Sequence, residues 1–242
     1  MARTNPASQF RTGFTAALLL ALLPLTASTA RVQNRTSVAS GGMVDHPLPD
    51  GEPTREAVRR TLAEHASGTY IAEMLAERDS ALARWHDRNG DPLVVWIQSS
   101  SEVSGWDDQY VDDVRSAFAD WDSLKLPVRF TFTTDSASAD VHVTFVDHFE
   151  EAISGRTRWA RDDDWWITDA DISLAVYHRG GPMLDDEAMH AMSLHEIGHL
   201  LGLDHTTDPT SIMAPKVRVR ALSPADRATV RLLYTLPPGG VR

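Results

Sequence analysis

Residues 195–205 read His195-Glu196-Ile197-Gly198-His199-Leu200-Leu201-Gly202-Leu203-Asp204-His205, the pattern H-E-x-x-H-x-x-G-x-x-H. On a helix, His195 and His199 lie one turn apart on the same face, so both imidazoles can reach a single ion. Glu196, beside the first of them, points to where an ion's bound water would sit. Gly202 follows His199 by three positions. Glycine accepts the left-handed backbone that stops a helix and turns it sharply, which lets His205 swing back as a third ligand. Three protein ligands leave a fourth position for water, the mark of a catalytic rather than a structural zinc. Fixing five positions at about 5% each over about 230 starting points gives a chance expectation on the order of 10⁻⁴.

The flanking sequence supplies the helix this spacing needs. Asp185-Asp186-Glu187 place acids where a helix dipole favours them, and the helix should run to about Leu201. Upstream, alternation predicts strands at Leu93–Ile97, at Val128, Phe130 and Phe132, at Val141, Val143 and Phe145, and at Ala170, Ile172, Leu174 and Val176. Arg156–Ala160 is a further candidate strand, bordered by Asp162-Asp163-Asp164. A helix is expected over roughly Asp107 to Leu124, with Tyr110, Val111, Val114, Phe118 and Trp121 inward as core. Another is expected before it, from Pro53 to about Arg84, with Ile71, Met74, Leu75 and Leu82 on one face, although Arg78 interrupts that stripe. Ser223-Pro224 opens the last helix, a cap followed by proline at the first helical position. Pro237-Pro238-Gly239-Gly240 then reads as a loose tail.

Together with Ser211-Ile212-Met213-Ala214-Pro215, the eleven-residue motif resembles the metzincin clan of zinc endopeptidases, whose methionine turn lies beneath the metal. Within the clan it is most similar to the matrixins, the family of the matrix metalloproteases. The likeness is carried by the Gly202-Leu203-Asp204-His205 ending, by Met213 followed two residues later by Pro215, and by the closing segment from Leu222-Ser223-Pro224 to Leu233-Tyr234. Ala139-Asp140-Val141 before a strand and Trp85 ahead of the first strand agree, so the resemblance covers about 85–235. It implies an α+β, zincin-like catalytic domain: a twisted mixed β-sheet on helices, the active-site helix beneath the cleft, a Met-turn at Met213 and a C-terminal helix. It also implies peptide-bond hydrolysis, with one catalytic zinc on His195, His199 and His205 and with Glu196 as general base. The substrate would be a protein or peptide lying extended along an edge strand, for which Arg156–Ala160 is the candidate. By the same analogy Ala191 and Pro215–Val217 would line the pocket behind the zinc. The rival reading is a zinc-bearing binding module of the same fold without turnover. The presence of Glu196, which adds nothing as a metal ligand, speaks against it.

The chain departs from the family in two respects. Secreted matrixins are usually kept latent by a propeptide cysteine on the zinc, and this chain has no cysteine. Either it is not latent, or residues 31–84 block the cleft in another way, or they brace the domain. His142, Asp147 and His148 lack the spacing of the family's second, structural zinc, and His178 and His190 read as surface or helix-face residues. Asp162, Asp163 and Asp164 are candidates for calcium, a solvated acidic loop being the simpler account.

The ends and the charge complete the expectation. Residues 1–30 hold Arg3 and Arg11, no acid, the apolar run Phe14–Leu25 and the small residues Ser28-Thr29-Ala30, which together describe a secretory signal peptide cleaved near Ala30. Residues 31–52 read as a flexible linker, 53–84 as a helical extension or short pro-region, 85–236 as the catalytic domain and 237–242 as a tail. With 23 Lys+Arg and 34 Asp+Glu the chain carries a net charge of −11. Removing Arg3 and Arg11 leaves 21 against 34, or −13. So acidic a surface argues against nucleic acid and against anionic lipid, and suits an exported protein that acts as a monomer away from membranes after its leader is cut. Without cysteine no disulfide staples the fold, so the core and any metal must hold it.

Overall fold

Apolar alternation builds the central sheet. In β2 (Leu93–Ile97) and β4 (Val141–Val146) every second side chain is buried, and these strands run parallel to each other and to β3 (Phe130–Thr133) and β6 (Ile167–Ala175). The strand order is β3-β2-β4-β6-β5, and only β5 (Gly155–Arg161) is antiparallel, formed as a hairpin with β6 at one edge. β3 closes the other edge. Its Phe132, one of the alternating residues that predicted the strand, is 41% exposed and rests edge-on against Phe118 with the Arg115 guanidinium over its ring. An edge strand needs only one covered flank, so alternation there does not translate into burial.

A computed structural model describes residues 53–240 apart from 79 and 89, all within the unit Pro47–Arg242; the expected leader 1–30 and linker 31–52 lie outside the described residues. Among the described residues there are five α-helices. α1 (Arg55–His65) and α2 (Ile71–Glu77) stand where one helix was expected. The chain breaks between them at a turn whose Gly68 has φ +75, and Leu82, expected on the same helical face, belongs to a two-residue strand instead. That strand, β1 (Ala81–Leu82), pairs antiparallel with β7 (Gly239–Gly240), so the expected loose tail is tied down by backbone hydrogen bonding that needs no side chain.

α3 (Gln109–Asp122) and α4 (Asp186–Leu200) pack against each other, and α4 also packs against β5 and β6. α4 is buried on nearly every side, with Met189, Ala191, Leu194, Ile197 and Leu200 all at or below 1% exposure. Two indoles hold it by its backbone: Trp121 Nε1 donates to the Leu194 carbonyl (3.0 Å) and Trp85 Nε1 to that of Leu200 (2.8 Å). α5 (Pro224–Leu233) opens with a capping box, Ser223 and Asp226 each bonding the other's backbone N–H. This is the mixed α+β architecture the motif led us to expect.

Candidate metal centre

The centre begins with how α4 starts and stops. Asp185 caps its N-terminus by accepting from the Ala188 amide at 2.8 Å. At the other end the Gly202 amide bonds the His199 carbonyl and the Leu203 amide that of Gly198, both at 3.0 Å, which is a Schellman closure. Gly202 sits at φ +98, and a Cβ there would collide with the Ala83 carbonyl. The chain therefore reverses at Gly202 and brings His205 back over the helix.

The three imidazoles meet. His199 Nε2 lies 3.1 Å from His195 Nε2 and 3.2 Å from His205 Nε2, and the third side of the triangle is 3.3 Å. The opposite ring nitrogens of two of them are engaged, His195 Nδ1 with the Ile212 carbonyl (2.7 Å) and His199 Nδ1 with that of Leu203 (2.8 Å). A carbonyl can only accept, so those Nδ1 atoms carry the proton and the Nε2 lone pairs face one another. Such a cluster is repulsive by itself and is relieved by a cation. Tetrahedral zinc with Zn–N of about 2.0–2.1 Å would set neighbouring nitrogens about 3.3–3.4 Å apart, so the triad fits a zinc site. Burial also keeps the rings neutral: it lowers His195 to about 4, His199 to about 3, and draws His205 down in the same direction. Among the described residues this triad is the one group of three or more potential ligands that converges.

Beside the triad stands Glu196, 3% exposed, whose carboxyl burial pushes up to about 7 against the opposing pull of the Thr157 hydroxyl. Thr157 Oγ1 lies 2.7 Å from Glu196 Oε2 and 2.9 Å from the Glu196 carbonyl, so one hydroxyl proton is shared between them. β5 passes so close that a Cβ on Gly155 would collide with the carboxylate. The motif did not disclose Gly155 or Thr157; Thr157 falls within the expected strand Arg156–Ala160, and Gly155 lies just ahead of it, where the strand in fact begins. A cleft of about 650 Å³ runs past these groups, lined by Gly155, Arg156 and Thr157 on one side and Pro215, Lys216 and Val217 on the other. Ala191, assigned to this pocket by analogy, lies in the core at 1% exposure, and the neighbouring Met192 lines the cleft instead.

Met213 is fully buried, with its sulfur packed so tightly on Gly198 of α4 that no Cβ would fit between them. Its turn is fastened from α5: the buried Asp226 accepts from the Ser211 hydroxyl, from the Ile212 amide (3.1 Å) and from the Ser223 amide (2.7 Å). The remaining candidates go elsewhere. His178 lines the cleft and bonds Ser154 Oγ at 2.6 Å, while His190 lies 3.2 Å from Asp120 across to α3. His142 meets the Ser136 carbonyl and His148 pairs with Asp147. Asp162 uses its Oδ1 to accept the amides of Asp164 and Trp166, closing the β5–β6 turn.

Comparison with known proteins agrees with this geometry. Residues 147–235 match the family model described as Matrixin. Metalloendoproteinase 1 of Glycine max is 25% identical over 153 residues, covering 54% of this chain and 48% of that protein. Metalloendoproteinase 1-MMP of Arabidopsis thaliana is 28% identical over 167 residues (60% and 44%), and Matrix metalloproteinase-16 of Homo sapiens 33% over 87 residues (35% and 12%). The chain thus spans less than half the length of each of these relatives. The matched segment contains the whole histidine cradle, the turn beneath it and the helix that fastens that turn, so over these residues the chain is similar to the matrixins.

Proposed function

We propose that this chain is a secreted zinc-dependent endopeptidase, with the ion held by His195, His199 and His205 and with Glu196 as the general base. The observation that carries the reading is the meeting of three Nε2 atoms within 3.3 Å beside a buried carboxylate, all facing one cleft. When bound there, zinc supplies Lewis acidity, lowering the pKa of a water from about 15.7 toward about 7 and polarising a carbonyl. Glu196, with a carboxyl near 7, is matched to take a proton from the attacking water and return it to the departing amine. Thr157 fixes one oxygen of that carboxylate and so sets its direction. β5 borders the cleft at the edge of the sheet, which suits an extended protein or peptide that pairs its backbone with the strand. The leader-like pattern of residues 1–30 supports export. Among the described residues no helix is long and apolar enough to cross a membrane, and the chain is taken to act as a monomer.

The test is cleavage of a quenched fluorescent peptide library by the full chain, with and without a chelator, beside Glu196→Gln. We expect chelator-sensitive turnover that falls by about 10²–10⁴-fold in the variant while zinc stays bound. A variant that cleaves at the normal rate would remove Glu196 from its role. One zinc per chain with no turnover from the parent protein would favour a binding module.

A further inference from the structure

The third ligand differs from the other two in its support. His195 and His199 ride on a helix buried on nearly every side, whereas His205 stands on the loop that follows Gly202. Backbone bonds from the Leu203 amide to Gly198 and from the Thr206 amide to Met213 secure part of this loop, and side chains around it supply the rest. The largest set comes from α2, which none of the sequence motifs pointed to.

Two residues of that helix grip the loop on either side of His205. Ahead of the histidine, Arg78 at the C-terminal end of α2 donates through Nη1 to the Gly202 carbonyl at 3.2 Å and pairs through Nη2 with Asp204. Both partners of that ion pair are only 14% exposed, so solvent screens it little. Behind the histidine, Glu73 accepts from the Thr206 hydroxyl (3.2 Å to either oxygen), from the Thr207 amide (2.8 Å) and from the Thr207 hydroxyl (3.1 Å). Hydrogen bonds to a charged group are the stronger kind. The helix that carries these two side chains is itself anchored. Ile71 and Met74 are buried in the core, and the Tyr70 amide and hydroxyl bond Thr229 (3.1 Å) and Asp226 (3.4 Å) of α5. The Arg78 guanidinium also lies 5.1 Å from the centre of the Trp159 ring on β5, which joins the same residue to the edge strand.

We propose that α2 is a clamp on the third-ligand loop, with Glu73 and Arg78 as positioning residues that hold His205 from opposite sides. The inference rests on the metal reading above and extends it to a segment outside the matched region. It also answers what part of residues 53–84 does. None of the residues lining the main cleft comes from that segment, so α2 braces the centre and does not plug it.

The experiment uses the full chain and zinc alone as the probe, measuring affinity and dissociation rate by competition with a chromogenic chelator. Residues that orient metal ligands through hydrogen bonds are typically worth 10–100-fold in affinity. Glu73→Ala and Arg78→Gln should therefore each weaken zinc binding about tenfold or more, chiefly through faster release. Arg78→Lys, which keeps the charge opposite Asp204, should recover part of the loss. Val128→Ala, which shortens a core side chain that takes no part in the clamp or the centre, should lower Tm and leave zinc affinity unchanged. Hydrogen exchange adds a readout should Arg78→Gln fold poorly: the Thr207 amide should exchange faster in Glu73→Ala. Affinities within twofold of the parent in folded variants would overturn the clamp, as would a loss that follows Tm across all variants including Val128→Ala. A parent chain that binds no zinc is the separate result, and it would overturn the metal reading itself.

Discussion

At Gly155 and Gly202 the centre depends on atoms that are missing. A Cβ at Gly155 would stand on the Glu196 carboxylate, so Gly155→Ala should displace that group while leaving the hairpin intact. We expect peptide turnover to drop by about tenfold or more with Tm little changed, since positioning errors near 1 Å cost on that scale. Gly202→Ala meets a backbone carbonyl and a left-handed φ together, so its cost falls on the fold, at about 1–3 kcal/mol or more in thermal unfolding. If the two variants exchanged these signatures, the assignments of space at one and conformation at the other would be wrong. Gly202 was legible because a helix end is a local event, written in the spacing from His199 to His205. Gly155 and Thr157 were not, because they meet Glu196 across 39 residues or more of chain and only the folded hairpin brings them there.

The elements divide along the same line. Strands β2 and β4 were readable because one face is buried and the other only partly so, in a regular alternation, and α4 because its ends carry their own caps. β1, β7 and the break between α1 and α2 were not, since a two-residue strand has no pattern of its own and exists only because a distant partner completes it. The turn beneath the cradle depends on one such distant partner. Asp226 on α5 serves the Ser211 hydroxyl, the Ile212 amide, its own cap and Tyr70 of the clamp, and Ile212 in turn fixes the His195 tautomer. Asp226→Ala leaves several of these donors buried without an acceptor. It should cost about 2–5 kcal/mol in denaturant unfolding, against about 1 kcal/mol for Ser223→Ala, which removes the cap alone. Equal losses in the two variants would show that Asp226 acts only as a cap residue.

For the molecule as a whole, the centre sets how stability responds to acid once the metal is removed. His195 and His199 have folded pKa values of about 4 and about 3, below the ordinary imidazole value of about 6.5. The unfolded chain therefore takes up protons that the folded one refuses, and stability is lost as pH falls from about 6.5 toward 4. Glu196 acts in the opposite sense. With its folded pKa raised to about 7, it contributes stability at low pH that is lost as pH rises through 7. Two groups against one leave a net uptake of protons on unfolding, worth about 1.4 kcal/mol per pH unit for each proton. The Tm of chelated protein should fall between pH 7 and pH 5, and fall more steeply in Glu196→Gln, which lacks the offsetting group. A Tm that is flat or rises toward acid in that variant would contradict the neutral-imidazole cradle.

The clamp also fixes an order of events in time. Glu73 leaves the ribosome 133 residues ahead of the Thr206 it will hold, and Asp226 and the Gly239–Gly240 strand emerge after every ligand. No part of the brace can close on the loop until nearly the whole described region has been synthesised, and contacts of such long range form late in folding. An ion that met the three histidines before Thr206 and Thr207 had emerged would therefore find His205 on a loop that Glu73 does not yet hold.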